Sequence, residues 1–94
     1  MASRTVIVAS KIGLHARPAA LFTAAASAAG LPVTLRKGDA APVPATSILS
    51  VLTLDVRCGD EVTIAADGDR ADAVLDGLAD LLARDLDAGH PSQA

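Results

Sequence analysis

Pro18 constrains this chain more than any other single residue. From Ala16 to Ala29 nearly every residue is a good helix former, and the run is closed by Gly30 and then Pro32. Inside such a run a proline is tolerated only in the first turn, where the amide it lacks has no internal partner anyway. Pro18 therefore fixes the register. The helix starts near Ala16, Pro18 occupies about its third position, and His15 falls at the cap.

The remaining segments organise around that helix. Arg4 to Ser10 is a short apolar run rich in β-branched residues and reads as a strand, broken by Lys11, Ile12 and Gly13. Leu31 to Lys37 alternates as a second strand, with Gly38-Asp39 as the turn behind it. Ala40 to Ala45 contains Pro42 and Pro44, which cannot donate to a ladder, so a strand here belongs at a sheet edge. Ser47 to Leu54 reads as a short helix capped by Thr46 or Ser47. Glu61 to Ala66 is a further strand closed by Asp67-Gly68. Arg70 to about Leu86 carries apolar residues at 74, 75, 78, 81 and 82, an amphipathic helical spacing. The order β-α-β-β-α-β-α in one small chain predicts an α+β fold, with helices over one face of a largely antiparallel sheet. Residues 1–86 form the expected domain, and 87–94 a polar tail.

Composition narrows the function. The chain has 94 residues, a net charge of −3 and a single aromatic residue, Phe22. The core must then be built from Ala, Val, Leu and Ile, and stacking platforms for bases or sugars are missing; with the acidic balance, nucleic acid is not an expected partner. No stretch approaches the roughly 18 apolar residues of a membrane span. The N-terminal segment does not read as a secretory signal. Cys58 is the only cysteine, so it forms no intrachain disulfide and reads as an ordinary thiol. The cytosol is the expected compartment. Asp67, Asp69, Asp72, Asp76, Asp80, Asp85 and Asp87 are too spread for a calcium loop and look like a solvated acidic face; no metal and no cofactor is expected. His90, in the tail beside Pro91, reads as a solvated side chain.

The informative stretch is Gly13-Leu14-His15-Ala16-Arg17-Pro18-Ala19-Ala20. Histidine is a mediocre helix cap compared with Ser, Asp or Asn, so something other than helix stability favours it. The site has what an anion requires. Backbone N–H groups of Ala16 and Arg17 point outward at the helix start, where the helix dipole adds partial positive charge. Arg17 supplies a planar cation suited to phosphate oxygens. An imidazole is neutral and nucleophilic in a useful fraction near pH 7, so His15 can hold a phosphoryl group. A helix terminus favours an anion by only about 0.3–1 kcal/mol at the surface, which steadies a phosphorylated form without trapping it. No carboxylate base stands near His15 in the sequence, so self-contained hydrolysis is not indicated. A helix-start histidine and an arginine alone also fit an ordinary surface histidine.

The heptapeptide Gly13-Leu14-His15-Ala16-Arg17-Pro18-Ala19 resembles the active-site signature of the HPr family, the histidine-containing phosphocarriers of the phosphoenolpyruvate-dependent sugar phosphotransferase system. Length and element order agree with that family across about residues 4–86. The resemblance implies an open-faced β-sandwich, with four antiparallel strands covered by three helices. It implies that His15 is phosphorylated on Nδ1 by enzyme I and passes the group to the IIA component of a sugar permease. Arg17 would assist transfer. Such a protein is a carrier consumed and regenerated at each step, not an enzyme in the turnover sense. A regulatory phospho-signalling domain of the same fold is the alternative. Nothing demands more than a monomer.

The short helix carries Ile48, Leu49, Val51, Leu52 and Leu54, more than one buried stripe accommodates. Either all five enter the core or some stay exposed as a docking surface. The resemblance points to Ile48, Leu49 and Leu52, with Ala20 from the first helix. Ser47 stands where some members of the family are phosphorylated by a regulatory kinase. It is also a good helix cap, and Leu49-Ser50 departs from the Met-Gly that usually follows at a regulated site.

Overall fold

A computed structural model describes residues 2–11 and 13–84. Its elements run β1 (Ala2–Ile7), α1 (Ala16–Ala28), β2 (Val33–Lys37), β3 (Val43–Pro44), α2 (Ile48–Thr53), β4 (Glu61–Ala66) and α3 (Ala71–Ala83). The expected tail at 87–94, with His90, lies outside the described residues, as do Ile12, Asp85 and Leu86. The strands form one antiparallel sheet in the order β1-β4-β2-β3. All three helices lie on one face, as the α+β open-faced sandwich requires.

Strand alternation explains the layering. Val33 and Leu35 of β2 and Val62, Ile64 and Ala66 of β4 are buried, while their neighbours Thr34, Arg36, Thr63 and Ala65 face the opposite side. On that side Thr5 and Thr63 meet across the β1–β4 ladder, with their hydroxyl oxygens 3.1 Å apart. The helices add Ala19, Phe22 and Ala26 from α1, Val51 from α2, and Ala71, Leu75, Leu78 and Leu82 from α3. Phe22 is the largest fully buried side chain. The rest of the core is aliphatic. Arg4 points toward α3, where its guanidinium meets Asp76 at 2.9 Å and Asp72 at 3.2 Å. Two members of the acidic face are thus exposed but paired.

Several boundaries differ from the sequence reading, each for a tertiary reason. The first strand spans 2–7 and not 4–10, because its ladder ends where β4 begins: Ile7 pairs with Glu61. The second strand begins at Val33, past Pro32, where its pairing with Ala66 begins. The proline segment keeps only two strand residues, at the sheet edge beside β2, with Pro44 opposite Thr34. α3 ends at Ala83. α1 closes on Ala29 with Gly30 at φ +78, the left-handed cap a glycine serves best.

The segment beyond β1 positions the site. The Val8 amide donates to the Asp60 carbonyl (3.0 Å) and the Gly59 amide to the Val8 carbonyl (2.8 Å). The Ala9 amide donates to the Leu82 carbonyl at the end of α3 (3.1 Å), and the Leu14 amide to the Val56 carbonyl (2.9 Å). Val8, Leu14 and Val56 are buried at 1% exposure or less and anchor both sides of this seam. Gly13 makes it possible. Its φ is +71, and a Cβ there would stand 2.1 Å from the Val56 carbonyl oxygen and 2.6 Å from the Arg57 Cα. The 57–60 turn is tied by the Asp60 carboxylate, which accepts the Arg57 amide (2.9 Å) and lies 3.3 Å from Lys37 Nζ. The Arg57 amide, with Lys37 beside it, holds the Asp60 carboxyl below its ordinary range.

Two outcomes follow from this seam. Gly13→Ala should destabilise the fold by about 3 kcal/mol, combining left-handed strain with overpacking against backbone, read as a lower urea midpoint. A carboxylate with a depressed folded-state pKa stabilises fully above its unfolded value and loses that contribution as pH falls through the folded one. Unfolding free energy should therefore fall more steeply for the wild type than for Asp60→Asn below about pH 4, measured by urea titration at successive pH values.

Candidate functional site

His15 is the N-cap of α1, with φ −126 and ψ 156, and its side chain makes no capping hydrogen bond. Pro18 occupies the third helical position and is buried, in the first turn where the amide it lacks has no internal partner. Ala16 and Arg17 occupy the first two positions, where N–H groups have no acceptor within the helix. The first turn contains no acidic residue. Its partial positive charge is therefore not neutralised locally. The imidazole is 38% exposed. Arg17 is exposed, and among the described residues no carboxylate pairs with its guanidinium. The arrangement offers an incoming dianion a nucleophilic ring, a helix start and a guanidinium from one short segment.

The fold adds a group that has no counterpart near His15 in the sequence. His15 Nε2 lies 3.3 Å from Asp55 Oδ1. Asp55 follows the Leu54 cap of α2 and holds φ +51, the only non-glycine residue with positive φ among the described residues. Aspartate visits this region more readily than most side chains, yet the conformation still costs about 1–2 kcal/mol relative to a residue free of the constraint. The carboxylate's other oxygen, Oδ2, accepts from Arg57 Nη2 (2.9 Å) and Nε (3.3 Å), and Lys37 Nζ donates to the Asp55 carbonyl (2.8 Å). The Arg57 guanidinium, helped by Lys37 and His15, holds the Asp55 carboxyl below its usual range. One signal for this residue exists in the sequence: an aspartate at the end of a helix, where the left-handed position usually takes glycine.

Of the apolar residues on the second helix, Val51 is fully buried, while Ile48 is 40% and Leu49 is 74% exposed. Leu52 is half-buried and Ala20 exposed. The reading that all five belong to the core is therefore not what the fold does. Leu21 on α1, 40% exposed, adds an apolar group that the sequence did not single out. α1 and α2 pack against each other, so both contribute to one side of the molecule. Ser47 is the N-cap of α2, its hydroxyl accepting the Ser50 amide at 3.3 Å. Cys58 is an exposed free thiol. Among the described residues no cluster of three metal-ligating side chains forms, and no helix is long and apolar enough to cross a membrane. The recess between α1 and α3 is lined by Ala25, Ala28, Val74, Gly77, Leu78 and Leu81 among others, with no polar side chain to orient a ligand.

Comparison with known proteins agrees with this geometry. The family model described as "PTS HPr component phosphorylation site" matches residues 2–84. The phosphocarrier protein HPr of Streptomyces coelicolor is 48% identical over 87 residues, spanning 93% of this chain and 94% of that protein. The phosphocarrier protein HPr of Haloferax volcanii is 44% identical over 80 residues, spanning 84% and 90%. The crystal structure of HPr-C-His from Thermoanaerobacter tengcongensis superposes with a TM-score of 0.81 at 36% identity, covering 87% of this chain and 91% of that one. The chain belongs to the HPr family of phosphotransferase-system phosphocarriers, proteins that carry a phosphoryl group stoichiometrically instead of turning over a substrate.

Proposed function

We propose that His15 accepts a phosphoryl group on Nδ1 from enzyme I, with phosphoenolpyruvate as the ultimate source, and passes it to the IIA component of a sugar permease. The observation that carries this reading is an exposed imidazole at the cap of α1, unengaged in capping, beside Arg17. Transfer is an in-line displacement. The Nδ1 lone pair attacks phosphorus while the donor's bond to it breaks and the electron pair leaves with the donor. The Ala16 and Arg17 amides and the Arg17 guanidinium receive the phosphoryl oxygens. Because the helix end contributes only about 0.3–1 kcal/mol at the surface, the group can leave again by the reverse displacement. Transfer between proteins takes place in the cytoplasm on this reading.

Both partners would dock in turn on Ala20, Ile48, Leu49 and Leu52. Exposed aliphatic groups beside a reactive residue suit a small transient interface. Ser47 acts here as the cap of α2, and its bond to the Ser50 amide gives it a structural role that needs no kinase.

Incubation with phosphoenolpyruvate and enzyme I should put an acid-labile phosphate on the wild type and none on His15→Ala. An acid-stable label, or one that persists in that variant, overturns the assignment. Leu49→Asp should lower kcat/KM for phosphotransfer by about tenfold, the effect of losing one interface anchor. Because Leu49 is 74% exposed, its unfolding free energy should change by less than about 0.5 kcal/mol. Unchanged phosphotransfer, or a fold lost together with the activity, overturns the docking role of Leu49.

A further inference from the structure

We propose that Asp55 is a positioning residue for phosphoryl acceptance: its carboxylate faces Nε2 of His15, favours the ring proton there, and so leaves Nδ1 as the bare, nucleophilic nitrogen. The inference rests on the reading of His15 as the acceptor and extends it to the residue behind the ring.

The geometry is built by backbone. Leu14 and Val56, the neighbours of His15 and Asp55, are joined by the amide-to-carbonyl bond of 2.9 Å. Gly13 packs directly on Val56 and Arg57. The two side chains therefore face each other across a fixed seam. Within Asp55 the two oxygens are divided: Oδ2 takes Arg57, and Oδ1 is turned to His15 Nε2 at 3.3 Å. The pair stands at ion-pair distance without a formed N–H···O bond, and such contacts are often long or poorly aligned in unliganded sites. The backbone at Asp55 is left-handed, where glycine would be relaxed. A strained non-glycine residue presenting its carboxylate to a reactive ring points to a functional cause.

The chemistry follows from donor and acceptor counts. A neutral imidazole has one N–H and one lone-pair nitrogen, and an ionised carboxylate only accepts. Arg57 and Lys37 keep Asp55 ionised, so the ring proton belongs on Nε2 and the lone pair on Nδ1. When Nδ1 forms its bond to phosphorus and the donor departs with its electron pair, no proton has to move. The ring then carries a positive charge beside the Asp55 carboxylate. In the reverse step the N–P bond breaks, its electron pair returns to Nδ1, and Nε2 keeps its proton. The logic is that by which a buried aspartate orients a catalytic histidine, here with the two ring nitrogens exchanged and in an exposed setting.

The test compares the full-length wild type with Asp55→Gly and Asp55→Asn. Ring 15N chemical shifts of His15 are recorded without phosphate, phosphoryl acceptance is timed with enzyme I and phosphoenolpyruvate, and thermal unfolding is followed. Asp55→Gly should keep or raise Tm, because glycine relaxes the left-handed backbone. Its ring nitrogens should move toward a mixed tautomer, and acceptance should slow by about tenfold, the scale of a modestly misplaced reactive group. Asp55→Asn, which tolerates the same backbone, should also move the ring shifts and slow acceptance. Unchanged ring shifts in both variants, whatever the rate, overturn the proposal, as do wild-type rates in both. If the wild type itself takes no phosphate on His15, the acceptor reading falls, while the ring shifts still decide whether Asp55 fixes the tautomer.

Discussion

The site depends on the hydrogen-bonded seam between the segment after β1 and the segment before β4. Four backbone bonds, from Val8, Ala9, Leu14 and Gly59, hold the chain that enters α1 against the end of α3 and the turn at 57–60. Without them His15 would cap a helix whose approach was undefined. With them, the cap residue has a fixed floor and a fixed neighbour. Each bond joins residues far apart in sequence, so the seam forms only when the sheet does. Stability and chemistry are thereby coupled: the same amide that anchors Leu14 also aims His15.

On the proposed function, that coupling is what lets an exposed histidine react specifically. A surface imidazole is ordinarily free to rotate, and either of its two nitrogens can meet an incoming phosphorus. Here the ring belongs to the cap residue of α1, and the Asp55 carboxylate stands 3.3 Å from its Nε2. Arg57 and Lys37 in turn hold Asp55, so positive and negative groups alternate outward from the ring. None of these exposed pairs adds much to folding on its own. Their value lies in orientation. A carrier requires this economy, since a deep electrostatic trap would accept phosphate and never release it.

Much of the fold was legible because its signals are local. Pro18 set the start of α1 and the cap at His15, Gly30 its end, and the turn residues isolated Glu61–Ala66, whose bounds agree residue for residue. Pro42 and Pro44 forecast an edge strand, and β3 is one. Strand lengths were less legible, because a ladder ends where its partner ends. The least legible feature was the Asp55 contact. No carboxylate stands near His15 along the chain, and only the folded sheet brings α2's end to α1's start. The exposure of Leu21 likewise depends on how α1 rolls against α2 and α3, which its alanine-rich sequence leaves open.

The proposed chemistry requires an oriented ring, with Nε2 toward Asp55 and Nδ1 toward the helix start. The most direct measurement is 15N–31P NMR on ring-labelled, phosphorylated wild-type protein, which identifies the nitrogen bonded to phosphorus. Phosphorus should couple to Nδ1 of His15 alone. Phosphate bonded to Nε2 would place the dianion against the Asp55 carboxylate and contradict the orientation on which the mechanism rests.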